Sequence, residues 1–321
     1  MKSKVISAAE AAKLVQSGMT VLSGGFVGSA HPEAVTKALE ERFLADGQPN
    51  DLTVVFCAGQ GDGKDKGTSH FGHEGMVKRG IGGHWGLAPK LGKLAVDGKI
   101  EAYNFPQGVL AHMLRDIGAG KPRTITSVGL HTYVDPRNGG GKINENTKED
   151  LVDLIEFDGQ AYLAYKHFKP DIAIIRGTTA DEAGNVSMEQ EVAWLECLAQ
   201  AIATKNSGGK VICQVMRLAK RNGINHHFVK IPGILVDHVV LVDPVQDPEL
   251  HMQTFGTQFS PYFSGQVQYP EDSLFEPMNL NVRKLVGRRA AFELLQFDNC
   301  IVNLGIGMPE AVANVAKEEG I

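Results

Sequence analysis

Gln107 has the type and the position of a residue that could take part in a reaction. It stands between a proline and a glycine, after residues 102–105, which predict a strand, and near the start of residues 106–116, which predict a helix. A neutral side-chain amide at such a place can donate a hydrogen bond to a developing oxyanion. A cap at the start of the helix is the alternative interpretation, and the local sequence does not decide between the two.

A second candidate site lies in a cluster of glycines that surrounds His84 and Trp85. Two rings on a glycine-rich loop could form a platform for a ligand, but a buried tryptophan whose indole N–H finds a partner is an equally good interpretation. Lys142 follows three glycines and could meet a phosphate, although a solvated loop lysine is the simpler interpretation.

A glycine loop lies within residues 20–35, between a β-forming run and a predicted helix. Gly24, Gly25 and Gly28 permit positive φ and let other atoms approach the backbone closely. The Pro-Glu pair at 32–33 suits the first turn of a helix. The loop therefore follows the carboxyl end of a strand, where open α/β sheets bind ligands. A plain connection between a strand and a helix is the alternative.

The same pattern recurs near the end of the sequence. Residues 300–312 again predict a strand, then a loop that contains Gly305 and Gly307, then a helix. The tetrapeptide P-E-A-V opens the predicted helix in both copies, at residues 32–35 and at residues 309–312. A repeat of helix, strand, loop and helix predicts two related α/β domains.

The repeat also sets the expected domain organisation. We expect a first domain at residues 1–245 and a linker at 246–280, where the hydrophobic periodicity is lost. Residues 281–321 are too few for a domain of usual size, so we expect them to be the start of a second domain that is incomplete in this chain.

Composition excludes several classes of function. The 321 residues are 43% hydrophobic and 21% charged, with a net charge of −5, which is typical of a globular protein and gives no reason to expect nucleic-acid or membrane binding. The sequence contains neither a signal peptide nor an apolar run of membrane-spanning length, so we predict a cytoplasmic protein. Four widely separated cysteines, Cys57, Cys197, Cys213 and Cys300, are expected to be buried free thiols.

The predicted strands alternate with helices and glycine turns. This alternation predicts an α/β fold with an open, mostly parallel sheet and flanking helices. Residues 71–79 and 191–204 are predicted to be helical, and residues 233–242 are predicted to form a strand.

Several common motifs are missing. The sequence has no P-loop of the form G-x-x-x-x-G-K-[ST], so ATP-driven chemistry is not expected. The glycine spacing after the first strand differs from G-x-G-x-x-G, which disfavours a nicotinamide enzyme. His226 and His227 are adjacent and therefore point apart, and no metal site is predicted.

The sequence resembles the class I coenzyme A transferases, in particular the single-chain enzymes that act on acetate and propionate. The segment that starts at Gly24 is similar to the family's G-G-F-x-x-x-G-x-P signature, with Ala30 where the pattern has glycine. The P-Q-G around Gln107 and the L-G-I-G-x-P that contains Gly305 are also similar to family segments. Further similar segments are residues 83–85, 135–142 and 180–185.

The resemblance implies ping-pong transfer of CoA between short-chain acyl-CoA and carboxylates such as acetate, propionate, acetoacetate or butyrate, through a glutamyl-CoA thioester. It implies coenzyme A as a substrate, no tightly bound cofactor and no metal, and a homo-oligomeric enzyme. Gln107 is expected to stabilise an oxyanion or orient the glutamate. The expected substrate-binding residues are Gly24, Gly25, Phe26, Gly28, His84, Trp85, Gly305 and Gly307.

The resemblance also places the nucleophilic glutamate beyond Ile321, in an E-x-G-x-x-G pattern that this sequence lacks. We therefore expect the chain alone to be inactive without a further half, in the same or a nicked chain. Glu33 and Glu310 are interpreted as partners of helix dipoles, and Glu74 and Glu191 have no motif role. An acyl-CoA hydrolase of the same fold, or a sugar-phosphate isomerase or ligand-sensing module on a similar α/β fold, are the alternatives.

Overall fold

The computed structural model describes residues 3–253, 259–268, 276–305 and 307–321. The chain divides into two compact units, Met1–Val267 and Gln268–Ile321. The division falls inside the segment 246–280 that the sequence predicts to be a linker, and the exact domain boundaries stay a prediction.

An eight-stranded sheet forms the centre of the first unit, and every neighbouring pair of its strands is parallel. The predicted open α/β class is therefore confirmed. In chain order the described strands are β1 (Val5–Ile6), β2 (Thr20–Ser23), β3 (Leu52–Phe56), β4 (Val77–Gly82), β5 (Glu101–Asn104), β6 (Arg123–Thr126), β7 (Val152–Phe157), β8 (Gln160–Lys166), β9 (Ile172–Arg176), β10 (Thr179–Asp181), β11 (Val186–Ser187), β12 (Lys210–Val215), β13 (Arg217–Ala219), β14 (Val229–Ile231) and β15 (His238–Leu241).

The order of the strands in this sheet is β1-β15-β12-β9-β2-β3-β4-β5. The described helices are α1 (Ala8–Leu14), α2 (Glu33–Asp46), α3 (Pro89–Val96), α4 (Gln107–Gly118) and α5 (Cys197–Asn206) in the first unit, and α6 (Val282–Leu294) and α7 (Glu310–Glu319) in the second.

Both faces of the sheet are buried, because successive side chains of each strand point to opposite faces. Leu22 and Val55 belong to one apolar core, whereas Val21 and Val54 belong to the other. Strands buried on both faces read as continuous apolar runs, and this is why the sequence predicts them well.

Segment 141–143 covers the outer edge of β5, the last strand of the sheet. The backbone N–H of Asn104 donates to the carbonyl oxygen of Gly141 over 2.8 Å, and the N–H of Ile143 donates to that of Ala102 over 2.9 Å. We call residues 141–143 the edge strap.

Two smaller sheets were not predicted. One has the order β6-β8-β7 and is antiparallel, and the other has the order β13-β10-β11-β14. The hairpin of β7 and β8 turns at Asp158 and Gly159, with φ of 51° and 75°. An Asp-Gly pair is the preferred turn of such hairpins, so the sequence carried a signal for this one.

Three predicted elements of the first unit are wrong in type or extent. Residues 71–79 do not form a helix, because Gly72 and Gly75 interrupt the segment and residues from Val77 onward pair with β3 and β5 instead. The helix predicted at 191–204 starts only at Cys197. The strand predicted at 233–242 is shortened to β15, because a 3-10 turn follows Pro232.

The second unit consists of two packed helices in its described residues, which include no strand. Asn281 caps α6 by accepting a hydrogen bond from the N–H of Lys284 over 2.9 Å. Ala291, Val312 and Val315 form its small buried core. The strand predicted near residue 300 is absent there, since an isolated strand has no partner to satisfy its backbone.

The exposure of the remaining apolar side chains differs along this unit. Ile301 is fully exposed and Val302 is 42% exposed, whereas Val312 and Val315 are buried between the helices. Ile306 lies outside the described residues.

Two further sequence expectations concern cysteines and membranes. Cys57, Cys197 and Cys213 are buried free thiols as predicted, whereas Cys300 is exposed because its segment lies outside the small core of the second unit. Within the described ranges, no helix combines the length and the apolar character needed to cross a bilayer.

Candidate functional site

The carboxyl ends of β2, β3, β4 and β5 lie side by side at one edge of the sheet. The glycine loop follows β2, the loop with His84 and Trp85 follows β4, and Gln107 follows β5. Because these strands are parallel, the three candidate segments of the first unit meet at the same edge. We call this region the carboxyl edge.

The glycine loop folds back on itself immediately after β2. Gly25 has a φ of +132°, and a Cβ atom on it would lie 2.9 Å from the Cα of His31. A Cβ on Gly24 would lie 2.9 Å from the Oε1 of Gln200. Other atoms approach both positions so closely that each must be glycine. Phe26, the next residue, is 42% exposed.

The buried side-chain amide of Gln60 holds Ser23 at the end of β2 and His31 in the glycine loop. The Oε1 of Gln60 accepts hydrogen bonds from the hydroxyl of Ser23 over 2.7 Å and from the Nδ1 of His31 over 2.8 Å. The amide nitrogen of Gln60 donates to the carbonyl oxygen of Ser23 over 2.8 Å. Burial lowers the pKa of His31 to about 4, although the nearby Glu33 opposes this shift, so the imidazole is neutral at pH 7.

His84 and Trp85 make different contacts. The exposed ring of His84 lies over the backbone of the neighbouring loop, since a Cβ on Gly59 would come within 2.3 Å of its Nδ1. The indole N–H of Trp85 donates to the carbonyl oxygen of Tyr103 over 3.3 Å, and its ring packs edge-on against Phe56. The contacts of Trp85 are those of a packing residue with a satisfied N–H, whereas a binding role for either ring stays a prediction.

Gln107 is the first residue of α4 and is exposed at the carboxyl edge. The helix has no side-chain cap, and within the described residues the amide of Gln107 makes no hydrogen bond. The backbone approaches closely behind it, because a Cβ on Gly83 would lie 3.0 Å from the Cα of Gln107. The side chain is therefore free to meet a ligand, and its chemical role stays a prediction.

Two residues of this edge were missed by the sequence reasoning. The amide nitrogen of Asn104 donates to the carbonyl oxygens of Gly82 and Gly83 over 2.9 and 3.2 Å, and its oxygen accepts from the hydroxyl of Tyr133. Asn104 thus links the ends of β4 and β5 and holds the phenol hydroxyl of Tyr133 at the carboxyl edge. No spacing in the sequence relates Asn104 to Tyr133, because a long loop separates them.

The unassigned carboxylates fall in four different surroundings. Glu33 starts α2 as predicted, but it is also buried, with the Nε2 of His70 at 2.7 Å. Glu74 is exposed and pairs with a lysine, and Glu310 starts α7. Burial alone would raise the pKa of Glu191, but the adjacent Arg176 and His251 hold it well below its usual range.

Gly305 and Gly307 belong to the second unit, in the segment before α7. Gly307 has a φ of +94°, and its carbonyl oxygen accepts a hydrogen bond from the Nη2 of Arg283 over 2.7 Å. The positive φ explains this glycine, whereas a substrate-binding role for the pair stays a prediction.

Comparisons with known proteins identify the family of the chain. The model of the family described as "Coenzyme A transferase" matches residues 5–241. Caffeate CoA-transferase of Acetobacterium woodii is 44% identical over 317 residues, which are 99% of this chain and 59% of that protein. Acetate CoA-transferase YdiF of Escherichia coli K12 is 41% identical over 318 residues, which are 98% of this chain and 58% of that protein.

A solved structure is similar throughout the chain. The acyl-CoA transferase YdiF of Escherichia coli O157:H7, in a thioester complex with CoA, matches with a TM-score of 0.89 and 39% identity, over 99% of this chain and 60% of that one. The chain thus spans less than two thirds of the length of these relatives. Because the family model matches most of its length, the chain belongs to the coenzyme A transferase family.

Proposed function

We propose that this chain supplies one wall of a site that transfers coenzyme A between an acyl-CoA and a free carboxylate. Family membership supports the proposal, and the observation that carries it is the exposed, unengaged amide of Gln107 at the carboxyl edge, where the glycine loop also ends. Coenzyme A is a substrate in this proposal, and the proposal requires no tightly bound cofactor.

In the proposed reaction a glutamate carboxylate attacks the thioester carbonyl, and CoA leaves as a thiolate while a mixed anhydride forms. The thiolate then attacks the glutamyl carbonyl, which releases the first acid as its carboxylate and leaves a glutamyl-CoA thioester. A second carboxylate takes the CoA by the reverse steps. Each attack creates an oxyanion, and an N–H of Gln107 can stabilise it without accepting a proton.

The substrates proposed are small carboxylic acids. Phe26 and the backbone of the glycine loop are proposed to line the acyl pocket, because they lie at the end of β2 and part of the Phe26 ring is exposed. Acetate and propionate are the first candidates. The name of the 44% identical relative adds caffeate, an aromatic acid, to the acids worth testing.

Incubation with acetyl-CoA and each acid, followed by chromatography of the acyl-CoA products, tests the proposal in a version of the enzyme extended to the length of the relatives, where we expect the nucleophilic glutamate. Propionyl-CoA that appears with parallel-line kinetics is expected for a ping-pong transferase. Borohydride reduction of enzyme exposed to acetyl-CoA alone should mark a glutamate, which peptide mass analysis identifies. Release of acetate without a new acyl-CoA would establish the hydrolase alternative instead, and the absence of both reactions in the extended enzyme would refute the proposal.

Substitution of Gln107 provides the sharpest test of a residue. In the enzyme extended to the length of the relatives, Gln107→Ala is expected to lower kcat by a factor on the order of 10² to 10³, the usual effect of losing one oxyanion donor. Its melting temperature should not change, because the amide makes no hydrogen bond within the described chain. His112→Ala, an exposed position on the same helix, is the matched control and should alter neither quantity. Wild-type turnover in Gln107→Ala would remove Gln107 from the mechanism.

Other expectations stay predictions. The comparisons do not support the expectation that a further half is missing or that the chain alone is inactive, and the assay with the 321-residue chain, verified by mass, decides the second point. A nucleophile outside this sequence, a homo-oligomeric enzyme and a cytoplasmic location are likewise untested.

A further inference from the structure

An ion pair lies buried beneath the glycine loop. Arg176 ends β9 and is completely buried, and Glu191 is almost as deeply buried. The Nε of Arg176 donates to the Oε1 of Glu191 over 3.0 Å, and its Nη2 donates to the Oε2 over 2.6 Å. This is the two-pronged geometry that makes arginine–carboxylate pairs strong and directional.

The same pair holds the backbone of the loop. The Nη1 of Arg176 donates to the carbonyl oxygens of Gly28 and His31 over 3.1 and 3.0 Å. The Oε2 of Glu191 accepts the N–H of Ala30 over 3.1 Å. Two carbonyl groups and one N–H within four consecutive residues are therefore bound to one ion pair.

The pair also joins the loop to a segment far along the chain. The Nε2 of His251 lies 3.1 Å from the Oε1 of Glu191. The Nη2 of Arg176 donates to the carbonyl oxygen of Met252 over 2.7 Å. With this last bond, all five N–H groups of the guanidinium have an acceptor, which a lysine could not reproduce.

The loop needs such support because its backbone is unusual. Val27 and Ala30 have φ angles of 56° and 53°, although neither is a glycine. Such conformations persist only where the surroundings enforce them, and they concentrate at functional sites. A buried ion pair is a weak source of stability compared with apolar packing, so stability alone does not explain this one.

We propose that Arg176 and Glu191 are positioning residues of the site: they fix residues 28–31 and, through them, the place of Phe26 and the loop N–H groups relative to the acyl group. The inference rests on the proposed CoA transfer. Small displacements of groups that orient a substrate reduce turnover strongly even when the substrate still binds.

Glu191→Gln tests this inference, since it keeps the shape of the side chain and removes its charge. We expect kcat for CoA transfer by the enzyme extended to the length of the relatives to fall on the order of 10²-fold while KM changes only a few-fold. Hydrogen exchange of the Ala30 amide should accelerate at least tenfold in the 321-residue chain, a readout that needs no activity. Arg176→Lys keeps the charge but loses the two-pronged contact with Glu191, so we expect it to lower kcat and to accelerate the exchange of Ala30 in the same way. It replaces Glu191→Gln if that variant does not fold.

Asp237→Asn is the matched control. It breaks the ion pair between Asp237 and Lys205, whose side chains are 2.8 Å apart. Asp237 directly precedes β15 and therefore lies at the edge of the sheet opposite to the carboxyl edge. The substitution should lower the melting temperature without changing kcat or the exchange of Ala30. Equal kinetic effects in Glu191→Gln and Asp237→Asn would overturn the inference, as would fast exchange of Ala30 in the wild-type chain. If the extended wild-type enzyme transfers no CoA, the proposed function fails, and the exchange data from the 321-residue chain still decide whether the ion pair holds the loop.

Discussion

Gly25 occupies a backbone conformation that other residues rarely adopt, and there is no room for a side chain on it. Gly25→Ala is expected to reduce the free energy of unfolding by about 1–3 kcal/mol, the usual cost of a strained residue at such a position. Urea denaturation measures the change. Gly92→Ala, inside α3 with its nearest neighbouring atom at 3.7 Å, is the control and should be neutral or up to about 1 kcal/mol more stable. Equal stability of Gly25→Ala and the wild type would show that the loop can rearrange.

His31 makes the stability of the first unit depend on pH. Burial lowers its pKa from 6.5 to about 4 in the folded chain, so the unfolded chain takes up a proton first as the pH falls. The stability that the neutral ring contributes is therefore complete above pH 6.5 and is lost on acidification towards pH 4. The loss is about 3 kcal/mol if the unfolded value is the ordinary one.

Measurement of unfolding free energies from pH 7 to pH 4 checks this dependence. His31→Gln removes the titrating group, so its curve should be flatter than that of the wild type in this range. The difference between the two curves matters here, because the carboxylates titrate in both proteins. Parallel curves would mean that the ring of His31 is hydrated or already charged in the folded chain.

Elements predicted from the sequence were most accurate where local pattern and tertiary structure agree. The βα unit around the glycine loop was predicted because an apolar run, glycines and Pro-Glu each favour the structure observed. The helix predicted at 191–204 fails at its start, because Glu191 turns inward to Arg176 and Leu195 adopts a φ of 47°. A buried partner fifteen residues away leaves no local signal, so the ion pair beneath the loop could not have been predicted.

The hairpin of β7 and β8 depends on its turn. Gly159 has a positive φ, and a Cβ atom on it would meet no other atom within 4 Å, so only the backbone opposes a substitution. Gly159→Ala is expected to destabilise the hairpin by about 1 kcal/mol, which is the cost of a left-handed alanine. Faster hydrogen exchange in β7 and β8, with no change in β2 and β3, is the expected result. Gly108→Ala, which has free space and an ordinary φ, should leave the hairpin amides unchanged.

At the scale of the whole molecule, β1 near the start of the chain forms the edge strand of the sheet beside β15, the last strand of the first unit. β1 pairs with β15, and the Nζ of Lys4 donates to the carbonyl oxygens of Gly233 and Val236, each over 2.6 Å. Lys4→Met is expected to reduce the free energy of unfolding by about 1–3 kcal/mol, because it leaves both acceptors without the ammonium group.

Chemical denaturation of the 321-residue chain measures this effect. Lys78→Met, at an exposed position of β4, is the matched control and should stay within about 0.5 kcal/mol of the wild type. Similar losses in the two variants would mean that the closing contacts of Lys4 contribute nothing beyond the loss of a surface charge.

The domain bounds inferred from the sequence stay a prediction, although the chain does divide into two compact units. The repeat indicated a second related segment, and the division of the structure falls within the predicted linker. The repeat did not predict that residues 300–305 would lack a strand, because strand formation depends on a partner strand and not on the apolar run alone.

The edge strap has a consequence for association between copies. An uncovered terminal strand offers a row of unpaired N–H and C=O groups, on which a strand of another copy can add and start aggregation. The strap occupies these groups on β5, and at the other end of the sheet β1 is only two residues long, which leaves little length for such pairing. Shortening of the glycine-rich segment that leads into the strap would uncover β5 as a template for aggregation, even if the remainder of the fold were unchanged.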